Sequence, residues 1–215
     1  MSYTQKILEV RVALAEGNFP TSRAQGANVK IMRLAADVVG KKPGGEEKPS
    51  ATIRLYNVPL ADMEAMTLLA FKPLGNSKNA VSVYAGDSSG LSLAFSGDIT
   101  SAVPDFSSSP EPAFVITAVT GYQASIKAVK PYTAGGEQDV PGIMERLAKS
   151  MGFTFQNRGA AAKLRNIALM GGPMEQARAL AAAARLELIL DDGELVLAPR
   201  GALRVEASTG NTPVW

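Results

Sequence analysis

The stretch DVPGIMERLAKSMG, residues 139–152, predicts one amphipathic helix with recognisable ends. Asp139 is suited to cap the amino end, and Gly152 stands where a left-handed residue would end the helix. Apolar residues recur at spacings of three and four, which places them on a single stripe: Val140, Ile143, Met144, Leu147, Ala148 and Met151. We therefore expect this helix to pack against a core along that stripe.

The residues that follow continue this unit as strand, strand, helix and hairpin. Alternating or short apolar runs predict the strands, Pro173 opens the second helix, and Asp192-Gly193 is a tight-turn dipeptide. The segments are FTF (153–155), AKLRNI (162–167), MEQARALAAAA (174–184), LELIL (186–190) and ELVLA (194–198). The pattern is typical of a small α+β domain, which we assign to residues 129–200.

Residues 1–128 follow a strand period instead. From Lys6 to Leu14 alternate residues are apolar, as in a half-buried strand. Turn signals separate the further predicted strands VKIMRLAADVV (29–39), ATIRLYNV (51–58), AVSVYAG (80–86), LSLAFSGDI (91–99), PAFVITAV (112–119) and ASIKAV (124–129). LADMEAMTLL (60–69) predicts one short helix closing an end, with Leu60, Met63, Met66 and Leu69 on its apolar side. Overall this predicts an α+β, mainly β chain, beginning with an antiparallel sandwich or barrel.

The composition argues against most catalytic and metal chemistry. The 215 residues include no Cys and no His, and the net charge is +2. Disulfides, thiolate catalysis and cysteine metal sites are therefore excluded, and the commonest general base is absent. No apolar run approaches the roughly 20 residues of a membrane helix, and the first residues lack the core of a signal peptide. We expect no catalytic, cofactor-binding or metal residues.

Three features invite a functional interpretation that the sequence does not favour. Gly171-Gly172-Pro173 opens a helix but lacks a Walker or dinucleotide pattern, which favours a tight helix start over a phosphate site. Asp191 and Asp192 favour a solvated turn over a cation site. Asp98 and Asp105 form no evident glycosidase pair, whose carboxyl groups stand about 5–9.5 Å apart.

Two surfaces are hypothesised to be interfaces. The polar connection 41–50 joins two strands in what resembles an extended hairpin, and its charged residues suit contact with another ring. Arg178 and Arg185 are seven residues apart on the second late helix, and we expect them to share a face. Small residues around that helix would allow a neighbouring subunit to pack closely. The candidate residues are Lys41, Lys42, Glu46, Glu47, Arg178, Ala179, Ala183 and Arg185.

Three stretches together resemble the baseplate hub proteins of tailed bacteriophages. They are LYNVPLADMEAMT (55–67), FSGDITSAVPDFSSSPEPAFVITAVTGY (95–122) and DVPGIMERLAKSMGFTFQNRG (139–159). The resemblance implies a tail-tube-like β-barrel in residues 1–128 and the small α+β domain beside it. It also implies a structural protein without catalysis or cofactor, located in the tail baseplate of the virion and assembled in the host cytoplasm.

The same resemblance implies ring assembly with defined neighbours. Such rings are usually trimers, and a hexamer is the alternative because one barrel per chain suits sixfold symmetry. A tail tube or distal tail protein would lie above the ring and a spike protein below, with DNA or tape-measure protein as channel cargo and no membrane contact.

The chain departs from this family after the α+β domain. Family members generally continue with a second barrel, and residues 201–215 look like the start of a strand returning to a barrel. Two alternatives remain open. The late unit loosely resembles the ring-forming βαββαβ domains of secretins, and a tail-associated cell-wall hydrolase is possible in principle, although no catalytic group of His or Cys is available.

Overall fold

A computed structural model describes residues 5–22, 28–43, 47–70, 79–107, 112–127 and 129–201, with side chains up to Thr67 in the helix that ends at Ala70. Its strands are β1 (Ile7–Ala13), β2 (Val29–Met32), β3 (Ala36–Lys41), β4 (Ser50–Tyr56), β5 (Ala80–Asp87), β6 (Gly90–Asp105), β7 (Ala113–Val119), β8 (Tyr132–Asp139), β9 (Thr154–Asn157), β10 (Lys163–Leu169), β11 (Leu186–Asp191) and β12 (Glu194–Pro199). The helices are α1 (Leu60–Ala70), α2 (Tyr122–Ile126), α3 (Val140–Met151) and α4 (Pro173–Ala183). The chain is mainly β, as expected.

The first sheet is antiparallel throughout but does not close into a barrel, which corrects the predicted barrel. Its order is β2-β1-β5-β6-β7-β4-β3, and no ladder joins β2 to β3 among the described residues. β6 is long because its first half pairs with β5 and its second half with β7. The sheet therefore turns a corner along β6.

The predicted strand 29–39 is in fact two strands at opposite ends of this ladder. β2 pairs with β1, whereas β3 pairs with β4, and only Arg33–Ala35 lies between them. Alternation continues through the break, so periodicity alone does not reveal it. Three linking residues span little distance, so the two ends of the sheet lie near each other although no hydrogen bonds join them.

The first core lies on one face of this curved sheet. Val10, Val12 and Leu14 are buried from β1 onward, as the alternation predicts. Met63 and Met66 of α1 enter the same core, but Leu60 is 72% exposed, so its predicted place on the apolar side is wrong. Leu60 is the first residue of the helix, where the chain has not yet turned towards the core.

The predicted helix at 140–151 is confirmed residue by residue. Asp139 accepts a hydrogen bond from the Gly142 amide at 2.9 Å, and Gly152 has φ +79° at the carboxyl end. All six residues of the predicted stripe are buried. They form a second core with α4 and with the strands β9 to β12, in which β11-β12-β9 is a three-stranded sheet and β12 runs parallel to β9.

The predicted strand 124–129 is wrong, because residues 122–126 form the short helix α2. Gly121 adopts φ +66° and redirects the chain after β7. Asp98 of β6 accepts a hydrogen bond from the Gln123 amide at 2.9 Å, and Ala124 is buried in the second core. These tertiary contacts override the local strand pattern. The domain boundary at 128/129 remains a prediction.

Candidate assembly surfaces and the domain junction

A charged contact joins the β3–β4 connection to the late hairpin. The Lys42 ammonium contacts the Asp191 carboxylate at 3.5 Å and also binds the Asp192 carboxylate. The other Asp192 oxygen accepts a hydrogen bond from the Ser96 amide of β6 at 3.1 Å. The predicted solvated turn is therefore wrong: the two carboxylates hold the late hairpin against β6 and the β3–β4 connection.

Close packing of Phe153 beside this contact depends on the absence of a side chain at Gly121. A Cβ atom at Gly121 would lie 2.5 Å from the Cζ atom of Phe153, so the aromatic ring packs directly on the backbone there. Thr120 donates a hydrogen bond to the Ser96 carbonyl at 2.7 Å. A small cleft of about 180 Å³ opens beside these residues, and its Asp98 carboxylate already accepts the Gln123 amide. The cleft belongs to the packing of the junction.

Two cations meet near this junction as well. Burial lowers the pKa of Lys48, the nearby Arg178 charge lowers it further, and Asp98 acts in the opposite direction. Arg178 is half-buried on α4. This Arg is thus part of an intramolecular environment.

The structure separates the eight hypothesised interface residues into three groups. Lys41, Glu47, Ala179 and Ala183 are exposed, Lys42 is bound to Asp191 and Asp192, and Glu46 lies outside the described residues. Arg178 and Arg185 do not share a helix face, because α4 ends at Ala183 and Arg185 has φ +54° beyond that end. Whether the exposed members form an interface stays a hypothesis.

The features with possible chemistry are occupied by structural contacts. The Gly172 amide donates to the Glu175 carboxylate at 2.9 Å, and a Cβ at Gly172 would lie 2.9 Å from the Ser125 carbonyl, so this is a tight helix start. Asp98 and Asp105 lie seven positions apart on β6, and both carboxylates are used in structural contacts: Asp98 accepts the Gln123 amide at 2.9 Å and Asp105 accepts the Ser107 amide at 3.0 Å. Within the described ranges no group of three acidic, His or Cys side chains has a metal-binding arrangement, and no helix there is long and apolar enough to cross a membrane.

Two ion networks on the seven-stranded sheet were not predicted. Glu9 is 1% exposed and accepts hydrogen bonds from Arg11 and Arg33, each at 2.7 Å. These bonds hold the pKa of Glu9 below its ordinary value. The alternation of β1 places Glu9 on the face opposite the core, where an exposed side chain is expected. Its burial could be predicted only if it were known that Arg33 lies beside it.

The second network fastens α1 to the sheet. Asp62 is fully buried and binds the Lys30 ammonium of β2 and the Thr21 hydroxyl. Burial raises the pKa of Asp62, but the hydrogen bonds from Lys30 and Thr21 outweigh that effect and keep the pKa below its usual value. An acidic residue in the first turn of a helix is a weak sequence signal for such an anchor.

Several large apolar side chains remain exposed among the described residues. Val39 of β3 is 64% exposed and Met170, before α4, is 70% exposed. Others are Ile31, Leu60, Phe106 and Ile126. Exposed apolar side chains of this kind are available for contact with another chain, although single ones are also normal on a soluble protein.

Comparison with solved structures identifies the fold. The 43 kDa tail protein of prophage MuSo2 from Shewanella oneidensis aligns over 89% of this chain with a TM-score of 0.56 and 13% identity, and the alignment covers 55% of that protein. A tail protein from Neisseria meningitidis MC58 aligns over 88% of the chain with a TM-score of 0.54 and 13% identity, covering 50% of that protein. The chain has a phage tail-protein fold.

A similar fold is also found in the Francisella PdpA–VgrG complex. A chain of the Francisella PdpA–VgrG complex, in its half-lidded state, aligns over 90% of this chain with a TM-score of 0.51 and 10% identity, and 31% of that chain is covered. No family model matches the sequence, and no curated protein matches it. The chain spans about half the length of the two solved tail proteins.

Proposed function

We propose that this chain is a structural protein of a phage-type tail, acting as a baseplate hub whose copies form a ring between the tail tube and the spike. One observation carries the proposal: the likeness to solved tail proteins extends over 89% of the chain, so it includes both cores and the junction between them. A likeness limited to one small domain would be far less specific.

The junction suits a structural role because it fixes two separate cores relative to each other. Lys42 and Asp192 connect the domains by charge, and Gly121 and Phe153 connect them by close packing. A hub that joins proteins above and below it needs such rigidity, since motion at the junction would weaken every contact across the ring. The exposed apolar residues on both domains then supply surface for those contacts.

The proposed partners are a homo-oligomeric ring, a tail tube or distal tail protein above, and a spike protein below. A trimer is the favoured stoichiometry and a hexamer the alternative, with DNA or tape-measure protein passing through the channel. The neighbour from the PdpA–VgrG complex supports a partner of the spike type. We place Lys41, Glu47, Ala179 and Ala183 in the contacts between subunits or rings, since all four are exposed.

The proposal is tested by native mass spectrometry and electron microscopy of the purified chain, alone and with the tail tube and spike proteins encoded beside it. Closed rings, or stable complexes with either neighbour, are the expected result. A chain that stays monomeric at high concentration and binds neither protein would overturn the hub assignment. Zymography on peptidoglycan is expected to be negative, and a clearing zone from purified protein would favour the hydrolase alternative.

A further inference from the structure

The outer edge of β3 is open and accessible. β3 pairs with β4 on one side, and no described strand pairs with its other side. Asp37, Val39, Gly40 and Lys41 are all exposed along this segment, and Val39 points away from the core with 64% of its surface exposed. An unpaired edge of this kind is a template for another strand.

The register with β4 shows which backbone groups are unpaired. Tyr56 donates its amide hydrogen to the Ala35 carbonyl at 2.9 Å, so Ala35 faces β4. Because residues alternate in an antiparallel ladder, Asp37, Val39 and Lys41 also face β4 with their backbone groups. Ala36, Val38 and Gly40 therefore direct their N–H and C=O groups to the open edge.

We propose that a second copy of this chain pairs with this edge, antiparallel, about a twofold axis centred on Val39. Val38 of each copy then exchanges both backbone hydrogen bonds with Gly40 of the other. Val39 lies opposite Val39 of the second copy as a pair without hydrogen bonds between them, on the outer face of the joined sheet. The outward-facing N–H and C=O groups of one copy thus bond to the same kind of groups of the other copy.

The charges on the strand fit this register and no neighbouring one. With Val39 at the centre, Asp37 stands opposite Lys41 of the second copy, and the pair occurs twice. A centre at Val38 or Gly40 would still pair the outward-facing backbone groups, but it would place Asp37 or Lys41, respectively, opposite Val39 of the second copy and leave the charges unpaired. Lys at an edge commonly prevents pairing, but here Asp37 supplies the opposite charge two residues from the centre.

This pairing is independent of the ring proposed above. In a threefold or sixfold ring, a residue meets its own copy only on the ring axis. A contact between Val39 and its own copy therefore reports a twofold axis, whatever the ring stoichiometry. The two proposals can fail separately.

A single-cysteine variant tests the axis directly, because the chain contains no Cys. Facing residues of a pair without hydrogen bonds have Cα atoms about 4.5 Å apart, which lies within the range of about 4.4–6.8 Å for disulfides. Val39→Cys is expected to form a disulfide-linked dimer rapidly under mild oxidation. Ile126→Cys is the matched control, since Ile126 is 53% exposed at the end of helix α2, away from any strand edge, and should dimerise only slowly by collision. Equal rates for both variants would overturn the proposal.

Charge reversal provides the second test and needs no cross-link. Asp37→Lys or Lys41→Asp alone places like charges opposite each other twice, and each is expected to weaken dimerisation about tenfold or more in sedimentation equilibrium. The double variant Asp37→Lys/Lys41→Asp restores both pairs and should recover the dimer. Failure of the double variant to recover it, with the fold intact by circular dichroism, would refute this register.

Discussion

Replacing Gly121 with Ala tests the junction with one methyl group. Gly121 has φ +66° and ψ +26°, and its added Cβ would lie 2.5 Å from the Cζ atom and 3.3 Å from the Cε2 atom of Phe153. The ring must therefore move if the substitution is to fit. Gly152 offers a matched control, because its φ of +79° and ψ of +22° are similar and no atom lies within 4 Å of its Cβ position.

The expected magnitudes follow from these two geometries. Each substitution forces Ala into the left-handed region, at a cost of about 1–2 kcal/mol. Gly121→Ala must also displace Phe153, a half-buried residue packed against the second core, and such overpacking costs about 1–3 kcal/mol more. We therefore expect Gly121→Ala to destabilise the protein by about 2–5 kcal/mol and Gly152→Ala by about 1–2 kcal/mol.

Urea unfolding followed by circular dichroism measures the difference between the variants. Adding Phe153→Leu to Gly121→Ala removes the ring atoms that clash, so the double variant should be less destabilised than the sum of the single variants. Equal destabilisation by Gly121→Ala and Gly152→Ala would refute the contact between the glycine and the ring. Strict additivity of Gly121→Ala and Phe153→Leu would lead to the same conclusion.

Three further predictions concern the cores and the ion pairs. Leu147→Asp buries an unpaired charge in α3 and should abolish cooperative unfolding of the second domain, whereas native thermal stability would contradict the packing of that helix. Asp62→Asn leaves the Lys30 ammonium without its partner and should lower the free energy of unfolding by about 2–3 kcal/mol. This is less than the usual cost of breaking a buried ion pair, because the Lys30 side chain is 20% exposed. Since the pKa of Asp62 is lowered on folding, its contribution is present above the unfolded-state pKa and is lost as pH falls through the folded-state pKa, so wild type and variant should converge in acid. Lys42→Met should cost about 0.5–1 kcal/mol and reduce the salt dependence of stability, and a variant with unchanged salt dependence would rule out a stabilising contact with Asp192.

The elements around the second core were largely predictable because their signals are local. The stripe in α3, the Asp139 cap and the left-handed Gly152 all act within one turn of the helix. Pro173 and the turn at Asp192-Gly193 likewise fix their elements from neighbouring residues. At these positions local propensity and tertiary packing favour the same structure, so the sequence pattern alone is sufficient to predict it.

The seven-stranded sheet was predicted less well because its decisive contacts are distant in sequence. Nothing in residues 29–41 shows that the first part pairs with β1 and the last part with β4. The burial of Glu9 depends on Arg33, and the helix α2 depends on Asp98. The sequence suggested a solvated turn at Asp191 and Asp192 for the same reason, since Lys42 lies about 150 residues away.

The twofold contact at β3 and a ring can coexist only in certain arrangements. If β3 lies on the upper or lower surface of a ring, the contact joins two rings face to face and each ring stays complete. If β3 lies at the subunit boundary within the ring, the dimer competes with ring closure, because one edge pairs with one strand at a time. The disulfide-linked Val39→Cys dimer separates these cases: double rings in electron microscopy place β3 on a ring surface, whereas loss of rings that return on reduction places it at the subunit boundary.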